Sequence, residues 1–371
     1  MSSKQSSDVV VVGGGVMGLF TALNLAEQGR NVTVVERGRI WSEASAVNAG
    51  SLAAQNKLPP LVPYTLAAFD VWKSLPERIG CDVDYHQTGG YKIATTPEEV
   101  ARLRAGLDAQ RAAGLPVRFM EPEEIRSETP WLSDKVLAAT YCELDSFASP
   151  IRTGPGLHKA LSRLGVTILE DTHIRSIKAS SGTVHLDTNA GAIDARQLAI
   201  TAGAWSGKVA AMLGSRVDMS LDVNMVSVTE PAPFTIGKIV THARGILTLK
   251  QVSNGSCLIG GGWQGNGSID DQCKDVDPDQ LTHNFILANE IIPGLGPLHI
   301  LRSWAGYEGV SPDSLPYLGQ LPGFDNIFMA ACARGGFTLG PLFGQLLCEL
   351  MTTGKPSMPL EAFHLARFDN A

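Results

Sequence analysis

The sequence has no clustered cysteines and no long basic run, and each absence excludes a class of protein. Six cysteines are spread singly through 371 residues without a C-x-x-C pair. This spacing disfavours both a disulfide framework and a zinc site, and it is typical of reduced thiols. The formal net charge of −7, with Lys and Arg dispersed, disfavours binding to nucleic acid or to an anionic membrane surface.

The sequence also lacks a long uninterrupted apolar stretch. The first residues, MSSKQSS, do not form a signal peptide, and the apolar run after them is too short and too rich in glycine to span a membrane. We therefore expect a cytoplasmic protein. With 44% hydrophobic and 18% charged residues, the chain can bury a large core, and its length favours two lobes.

Residues 9–20, VVVVGGGVMGLF, combine a β-branched apolar run with a dense group of glycines. Residues 9–12 are typical of a parallel strand buried on both faces. The pattern over residues 16–28 is helical, and NVTVVE at 31–36 predicts a second buried strand. The glycines therefore stand between a strand and a helix, with the spacing G-x-G-x-x-G.

Each glycine of this motif has a physical role in binding a dinucleotide. Gly13 permits a tight turn, Gly15 lets the backbone approach a pyrophosphate, and Gly18 lets the helix pack closely on the strand. The first helical amides, at Val16 and Met17, offer unpaired N–H groups to the anion.

Glu36 stands at the end of the second strand, 18 residues after Gly18. An acid there accepts hydrogen bonds from an adenosine ribose and disfavours a 2′-phosphate. The alternative, a glycine-rich turn of an ordinary α/β unit, leaves Glu36 unexplained. The strand, glycines, helix, second strand and acid together predict a dinucleotide site.

The next stretch, SEASAVNAG at 42–50, is dense in small and hydroxylated residues. Small side chains let an extended ligand lie along the backbone, and Ser and Asn can donate hydrogen bonds to it. This favours FAD over NAD as the dinucleotide. The candidate contacts in this part of the chain are Arg37, Ser45, Asn48, Ala49 and Gly50.

The chain resembles the D-amino-acid oxidase superfamily of FAD enzymes, which includes glycine oxidase, sarcosine oxidase and bacterial amino-acid dehydrogenases. Beyond the segment just described, fragments that resemble the family occur in the family's order at 88–95, 145–150, 174–177, 195–206, 304–306, 312–319 and 334–341. The resemblance implies an α/β fold with a Rossmann-type FAD-binding domain and an interleaved antiparallel-sheet substrate domain. The FAD-binding domain takes residues 1–85, 146–215 and 300–371, and the substrate domain takes 86–145 and 216–299.

The resemblance also implies the chemistry. A substrate amine with an α C–H transfers hydride to flavin N5, and water hydrolyses the resulting imine. No residue supports a covalent link, so we expect non-covalent FAD, and Cys332 near the last loop is expected to fill core. The further cofactor contacts that the resemblance implies are Ile174, Ala202, Gly203, Trp205, Gly306, Gly335, Gly336, Phe337 and Thr338.

The loop at 335–336 is expected to approach the flavin, although a tightly packed strand–helix corner would need the same glycines. Pro341 is suited to begin a helix over 342–351, whose positive end would face the ring.

Two departures from the family bear on the substrate. The family often reads W-A-G-L-R-P, with an arginine that binds the substrate carboxylate, whereas this chain reads WAGYEG and carries Glu308 instead. Relatives commonly have Gly-His before the flavin loop, whereas this chain has Ala333 and Arg334. A carboxylate at 308 attracts an ammonium or guanidinium.

We take Arg334, Glu308 and Tyr307 as the candidate catalytic residues. Arg334 is a candidate for binding the anion, with Arg302 and Lys250 as weaker ones, and Tyr307 could orient the substrate. In the alternative interpretation Glu308 is a solvated loop residue, and Arg334 pairs with the cofactor or with a carboxylate. No histidine is assigned a catalytic role, and no metal is expected.

These departures favour a substrate with a cationic end and a carboxylate, such as an opine. The loop ARGGFTLGP also resembles the FAD subunits of bacterial multi-subunit opine and hydroxyproline dehydrogenases, in which other chains carry flavin or iron–sulfur groups. This chain has no cysteine cluster for such a centre, so partner chains would accept the electrons, and any contact with the inner membrane would run through them. One alternative is a stand-alone amino-acid oxidase that uses oxygen, and another is a non-catalytic subunit that holds FAD and relays electrons. A third is an NAD-dependent dehydrogenase, which the small residues at 42–50 disfavour.

Overall fold

The computed structural model describes residues 5–180, 182–331 and 334–368, so Cys332 and Ala333 lie outside the described residues. The strands are β1 (Gln5–Val12), β2 (Val32–Val35), β3 (Ser51–Leu52), β4 (His86–Gln87), β5 (Gly90–Ala94), β6 (Val117–Met120), β7 (Ala138–Cys142), β8 (Ser146–Phe147), β9 (Thr167–Leu169), β10 (Ile174–Ser180), β11 (Thr183–Thr188), β12 (Gly191–Ile200), β13 (Ser220–Pro231), β14 (Ile239–His242), β15 (Thr248–Gln251), β16 (Ser256–Gln264), β17 (Asn266–Ser268), β18 (Cys273–Asp275), β19 (Ile300–Val310), β20 (Tyr317–Gln320) and β21 (Ile327–Ala331). The helices are α1 (Val16–Glu27), α2 (Ala44–Val47), α3 (Val62–Ile79), α4 (Pro97–Ala112), α5 (Pro122–Glu128), α6 (Pro150–Arg163), α7 (Ser206–Ala211), α8 (Pro278–Ile291) and α9 (Gly336–Thr353).

The first sheet is built around β1 and has the order β10-β11-β12-β1-β2-β9, with β21 also paired to β12 and β20 paired to β21. β1 pairs in parallel with both β2 and β12. The four valines at 9–12 are at most 5% exposed, because helices or other layers cover both faces of a parallel sheet. The strand–helix–strand unit predicted from the first 36 residues is therefore confirmed.

The second sheet has the order β19-β13-β16-β15-β14-β5-β7-β6. Its neighbours are antiparallel except for β14 and β5. The division proposed from the sequence assigns residues 300–371 to the cofactor domain, whereas β19 pairs with β13 at the edge of this second sheet. The backbone hydrogen bonds of β19 need a partner strand, and β13 supplies it over ten paired residues.

Helices α1 and α9 pack closely because glycines remove side chains from the contact. A Cβ on Gly340 would lie 2.7 Å from the Val16 side chain, and one on Gly344 would lie 2.7 Å from Phe20 Cβ. α9 begins at Gly336, so the prediction that Pro341 begins this helix is wrong, and Pro341 lies inside it. The buried packing of α9 against α1 offsets the one backbone hydrogen bond that proline removes.

A third, small sheet has the order β3-β8-β4. Ser51 of β3 pairs with Phe147 of β8, and Phe147 pairs with His86 of β4. Within the described residues, no helix combines the length and apolar character that crossing a membrane requires.

Candidate cofactor-binding and active site

The glycine-rich turn between β1 and α1 is packed too tightly for any side chain. Gly13 has φ +108°, and a Cβ there would lie 2.5 Å from the carbonyl oxygen of Thr201. A Cβ on Gly18 would lie 1.9 Å from the carbonyl oxygen of Gly13. The turn therefore brings backbone alone to the carboxyl end of β1, which is the place where an α/β sheet binds its ligand.

The N-terminus of α1 has Gly15 as its N-cap, and Gly15 has no side chain with which to cap it. Ser45, on α2, accepts a hydrogen bond from the Val16 N–H at 2.8 Å. The next amides of the first turn, Met17 and Gly18, have no acceptor within the helix. They carry the partial positive charge that holds a phosphate.

Glu36 follows β2 and bends back over the same turn. Its carboxylate accepts hydrogen bonds from the Gly14 N–H at 2.8 Å and from the Gly38 N–H at 2.9 Å. Each carboxylate oxygen has two lone-pair sites, so both oxygens can accept another donor. Glu36 is therefore held by backbone amides while it keeps the capacity to bind the hydroxyls of a ribose.

Asn48 shapes the loop after α2. Its Nδ2 donates to the carbonyl oxygens of Ala44 and Ser45 at 2.9 Å each, and its Oδ1 accepts from the Gly50 N–H at 2.7 Å. The side chain thus uses both Nδ2 protons within the loop, so its role here is to hold the backbone around Ala49. We infer that this loop meets a ligand mainly through backbone groups.

Arg37 stacks on Trp205, and both follow strands of the first sheet. The guanidinium of Arg37 lies 3.7 Å from the Trp205 ring centroid and also pairs with Glu43 at 3.3 Å. Ala202 and Gly203 begin the short helix Gly203–Trp205 that follows β12, beside Thr201 and the glycine-rich turn.

Ile174 is the first residue of β10 and packs, half-buried, against the apolar core of the first sheet. The structure records no contact between Ile174 and the glycine-rich turn, so its role in cofactor binding stays a prediction.

Gly335 and the first turn of α9 lie against residues 51–72. Gly335 has φ +90°, and a Cβ there would lie 1.9 Å from Lys57 Nζ. Phe337 packs on Trp72 with ring centroids 4.8 Å apart, and Thr338 Oγ1 donates to the Ser51 carbonyl oxygen at 3.4 Å. Because α9 starts at Gly336, its positive end lies directly beside Gly335 rather than one turn farther away.

Strand β19 lies against α2. Trp304 Nε1 donates to the Val47 carbonyl oxygen at 2.7 Å, and a Cβ on Gly306 would lie 2.3 Å from the Val47 side chain. Alternate side chains of a strand point to opposite faces, so Trp304, Gly306 and Glu308 share the face toward α2.

Glu308 is half-buried and bonded on both carboxylate oxygens. It accepts from Asn224 Nδ2 at 2.6 Å and from the Gly335 N–H at 3.3 Å. Burial raises the pKa of its carboxyl above the ordinary value, whereas the Gly335 amide and the nearby cations Arg334 and Lys57 oppose that rise. The alternative that Glu308 is a solvated loop residue is therefore wrong.

Arg334 and Tyr307 differ in their partners and in their position relative to Glu308. The side chain of Arg334 is 56% exposed and pairs with Asp222 at 2.6 Å, in agreement with the alternative in which it binds a carboxylate of the protein. Tyr307 lies on the opposite face of β19, and its hydroxyl donates to the carbonyl oxygen of Ser268 at 2.9 Å. The structure therefore does not bring Tyr307 to the face that carries Glu308.

Sequence reasoning missed two side chains at this site. Lys57 contacts Gly335 from the connection that precedes the short helix Pro59–Leu61, and the prolines there were the available signal. Asn224 lies opposite Gly306 across the β13–β19 pair, and no local pattern in the sequence marks it.

The groups described above fit FAD. The turn at Gly13 and the N-terminus of α1 suit a pyrophosphate, and Glu36 suits the ribose. A Cβ on Gly50 would lie 2.2 Å from the Ala148 carbonyl oxygen, and the positive φ of Gly335 disfavours a side chain there. The hydroxyl of Ser51 is buried and has no hydrogen-bond partner among the described residues, so it is open to a bound ligand.

Comparison with known proteins identifies the family. The family model described as DAO, FAD dependent oxidoreductase, matches residues 8–350. The chain is 32% identical to a protein named glycine oxidase from Geobacillus kaustophilus (strain HTA426), over 97% of each chain. It is 25% identical to one of the subunits of an opine oxidase from Rhizobium meliloti, over 98% of each chain.

A solved structure shows the same fold. The crystal structure of glycine oxidase from Geobacillus kaustophilus superposes with a TM-score of 0.91 and 28% identity, covering 98% of this chain and 99% of the other. The interleaved α/β fold expected from the sequence is therefore confirmed, and the chain belongs to the DAO family of FAD-dependent oxidoreductases.

Proposed function

We propose that this enzyme oxidises the C–N bond of an amino acid or a secondary amine and binds its FAD without a covalent link. The observation that carries the proposal is that Glu308 connects α2 with the loop before α9. Its strand packs on α2, and its carboxylate accepts a hydrogen bond from the Gly335 amide. The relatives named for glycine and opine oxidation support the substrate class.

The residues of the chain have separable roles in this proposal. FAD, when bound, supplies the ring that accepts a hydride from the α carbon, and water hydrolyses the imine. The amides of Met17 and Gly18 hold the pyrophosphate, since the Val16 amide already donates to Ser45, and Glu36 holds the ribose hydroxyls. The unpaired amides at the start of α9 stabilise negative charge that develops in the site.

Glu308 is proposed to bind the cationic end of the substrate. A half-buried carboxylate attracts an ammonium more strongly than a solvated one, because the effective dielectric constant is lower. Its contact with Gly335 N–H gives it a structural role as well. Glu308→Gln removes the charge and keeps one acceptor oxygen, which can serve the Gly335 amide but not Asn224 as well.

An opine-like substrate, with electrons passed to partner subunits, is the finer form of the proposal. Its support is the relative named as part of an opine oxidase, together with the glutamate at 308. We also propose a cytoplasmic location, in which contact with the inner membrane occurs only through partners. The supporting observation is that Cys81, Cys142, Cys257, Cys273 and Cys348 are free thiols.

The test is anaerobic titration of the purified holoenzyme with amino acids, secondary amines and opines, followed by flavin absorbance. Bleaching of the oxidised flavin by an amine is expected, and we expect Glu308→Gln to weaken cationic substrates about tenfold with unchanged flavin content. Flavin that no amine bleaches, even with co-purified partners, would instead support an electron-relay role. Rapid reoxidation by air alone would support a stand-alone oxidase.

A further inference from the structure

Lys250 is a buried lysine that the proposed chemistry has not used. It lies on β15 and is 2% exposed. Its neighbour Leu249 points into the apolar core of the second sheet, so Lys250 points to the opposite face. There its Nζ lies 4.4 Å from the Phe147 ring centroid, and a Cβ on Gly50 would lie 3.1 Å from it.

Among the described residues, no hydrogen bond or ion pair involves the ammonium of Lys250, whereas the charged groups around it have partners. Asp84 bonds His86 at 2.8 Å and accepts from Ser253 at 2.8 Å. Lys238 donates to the Thr88 carbonyl oxygen at 2.7 Å. Burial lowers the pKa of Lys250 to about 7, and Asp84 only partly opposes this. A buried cation without an anion is costly, which points to an anion in the working state.

A second unpartnered polar group lies on the same side. Ser51 pairs with Phe147 across β3 and β8, and directly paired residues point to the same face of a sheet. The buried hydroxyl of Ser51 has no hydrogen-bond partner among the described residues. The ammonium of Lys250 and the hydroxyl of Ser51 thus lie on the same side of the small sheet as the Phe147 ring, next to Gly50.

A cavity gives a small molecule access to Lys250 and Phe147, whereas Ser51 does not line it. It has a volume of about 470 Å³ and is lined by Lys250, Phe147, His86, Thr88, Phe234 and Lys238, among others. This volume lies within the range of about 300–1,000 Å³ found for small-molecule pockets.

We propose that Lys250 binds the carboxylate of the amine substrate, with the hydroxyl of Ser51 as a second donor. This inference rests on the proposed function, and it assigns the carboxylate to β15 because position 308 carries a negative charge. The substrate then meets a cation at Lys250 and a carboxylate at Glu308, as a zwitterionic amine requires.

The test measures acetate binding and substrate binding in Lys250→Met, Lys250→Arg and Ser51→Ala holoenzymes. Acetate is titrated into the oxidised protein, and its dissociation constant is read from the flavin difference spectrum. The bleaching amine and its carboxamide are then compared under anaerobic conditions. Lys135→Met is the matched control, because Lys135 is 62% exposed and pairs with Glu290.

Lys250→Met is expected to weaken acetate and the carboxylate substrate at least about tenfold and to leave the carboxamide within about twofold. Lys250→Arg retains part of the binding, and Ser51→Ala shows a smaller loss.

Equal losses for carboxylate and carboxamide, no loss, or wild-type protein that binds no acetate would overturn the assignment. A shifted flavin midpoint potential in Lys250→Met with unchanged acetate binding would also overturn it. Lys250 would then stabilise negative charge on the flavin instead of binding the substrate carboxylate. Failure of every amine to bleach wild-type flavin counts against the proposed function alone, since the acetate titration still tests Lys250.

Discussion

Gly18→Ala tests whether the close approach of α1 to the glycine-rich turn is required for folding and for FAD binding. The added Cβ would lie 1.9 Å from the Gly13 carbonyl oxygen and 2.6 Å from Thr201 Oγ1. Real Cβ atoms essentially never come closer than 3.0 Å to such a neighbour, so backbone must move by roughly 1 Å.

The expected cost has two parts. Overpacking in a close-packed interior costs about 1–3 kcal/mol in the free energy of unfolding. The Gly13 N–H also donates to the Val35 carbonyl oxygen at 2.9 Å, and a hydrogen bond of that length does not survive a shift of about 1 Å. Because the turn is the proposed pyrophosphate site, we expect FAD affinity to fall at least about tenfold.

The assay is urea unfolding of the FAD-free protein together with FAD titration followed by fluorescence quenching. Gly106→Ala is the matched control, because Gly106 lies within α4 and a Cβ there meets no atom within 4 Å. That variant should be more stable by about 0.5–1 kcal/mol, with unchanged FAD affinity. Wild-type stability and FAD affinity in Gly18→Ala would refute the reasoning.

Three further predictions concern single polar groups. Glu36→Gln should weaken FAD binding by about 1.5–3 kcal/mol, measured by titration, because a charged acceptor is lost; unchanged affinity would exclude a ribose contact. Tyr307→Phe should cost about 1 kcal/mol in unfolding and leave kcat/KM within about twofold, because its hydroxyl bonds backbone; a tenfold loss of kcat/KM would restore its predicted role with substrate. Lys250→Met should be more stable than wild type by about 2 kcal/mol at pH 6 in FAD-free protein. The pKa of Lys250 is about 7 in the folded protein and 10.5 in the unfolded chain, so the free energy of unfolding of the wild type rises with pH between these values. The stability advantage of Lys250→Met therefore narrows by pH 10. An advantage that stays constant with pH in denaturant unfolding would contradict this.

The parts of the site that could be predicted are those that nearby residues build. Gly13, Gly18 and Glu36 lie within one strand–helix–strand unit, where backbone conformation and helix polarity leave few alternatives. The start of α9 was misplaced by the same local reasoning. Pro341 is a good first helical residue, but packing against α1 carries the helix back to Gly336.

Only the tertiary structure decided which distant groups meet. The β13–β19 register sets Glu308 on the face toward α2 and Tyr307 on the other, and it places Asn224 within hydrogen-bond distance of Glu308. The burial of Lys250 beside Gly50 depends on β15 and the small sheet coming together. Composition and spacing thus determined the dinucleotide motif, because a turn and its helix are local. Which charged side chains face the substrate depends on strand pairing and packing, because these bring together residues as far apart in sequence as Gly50 and Lys250.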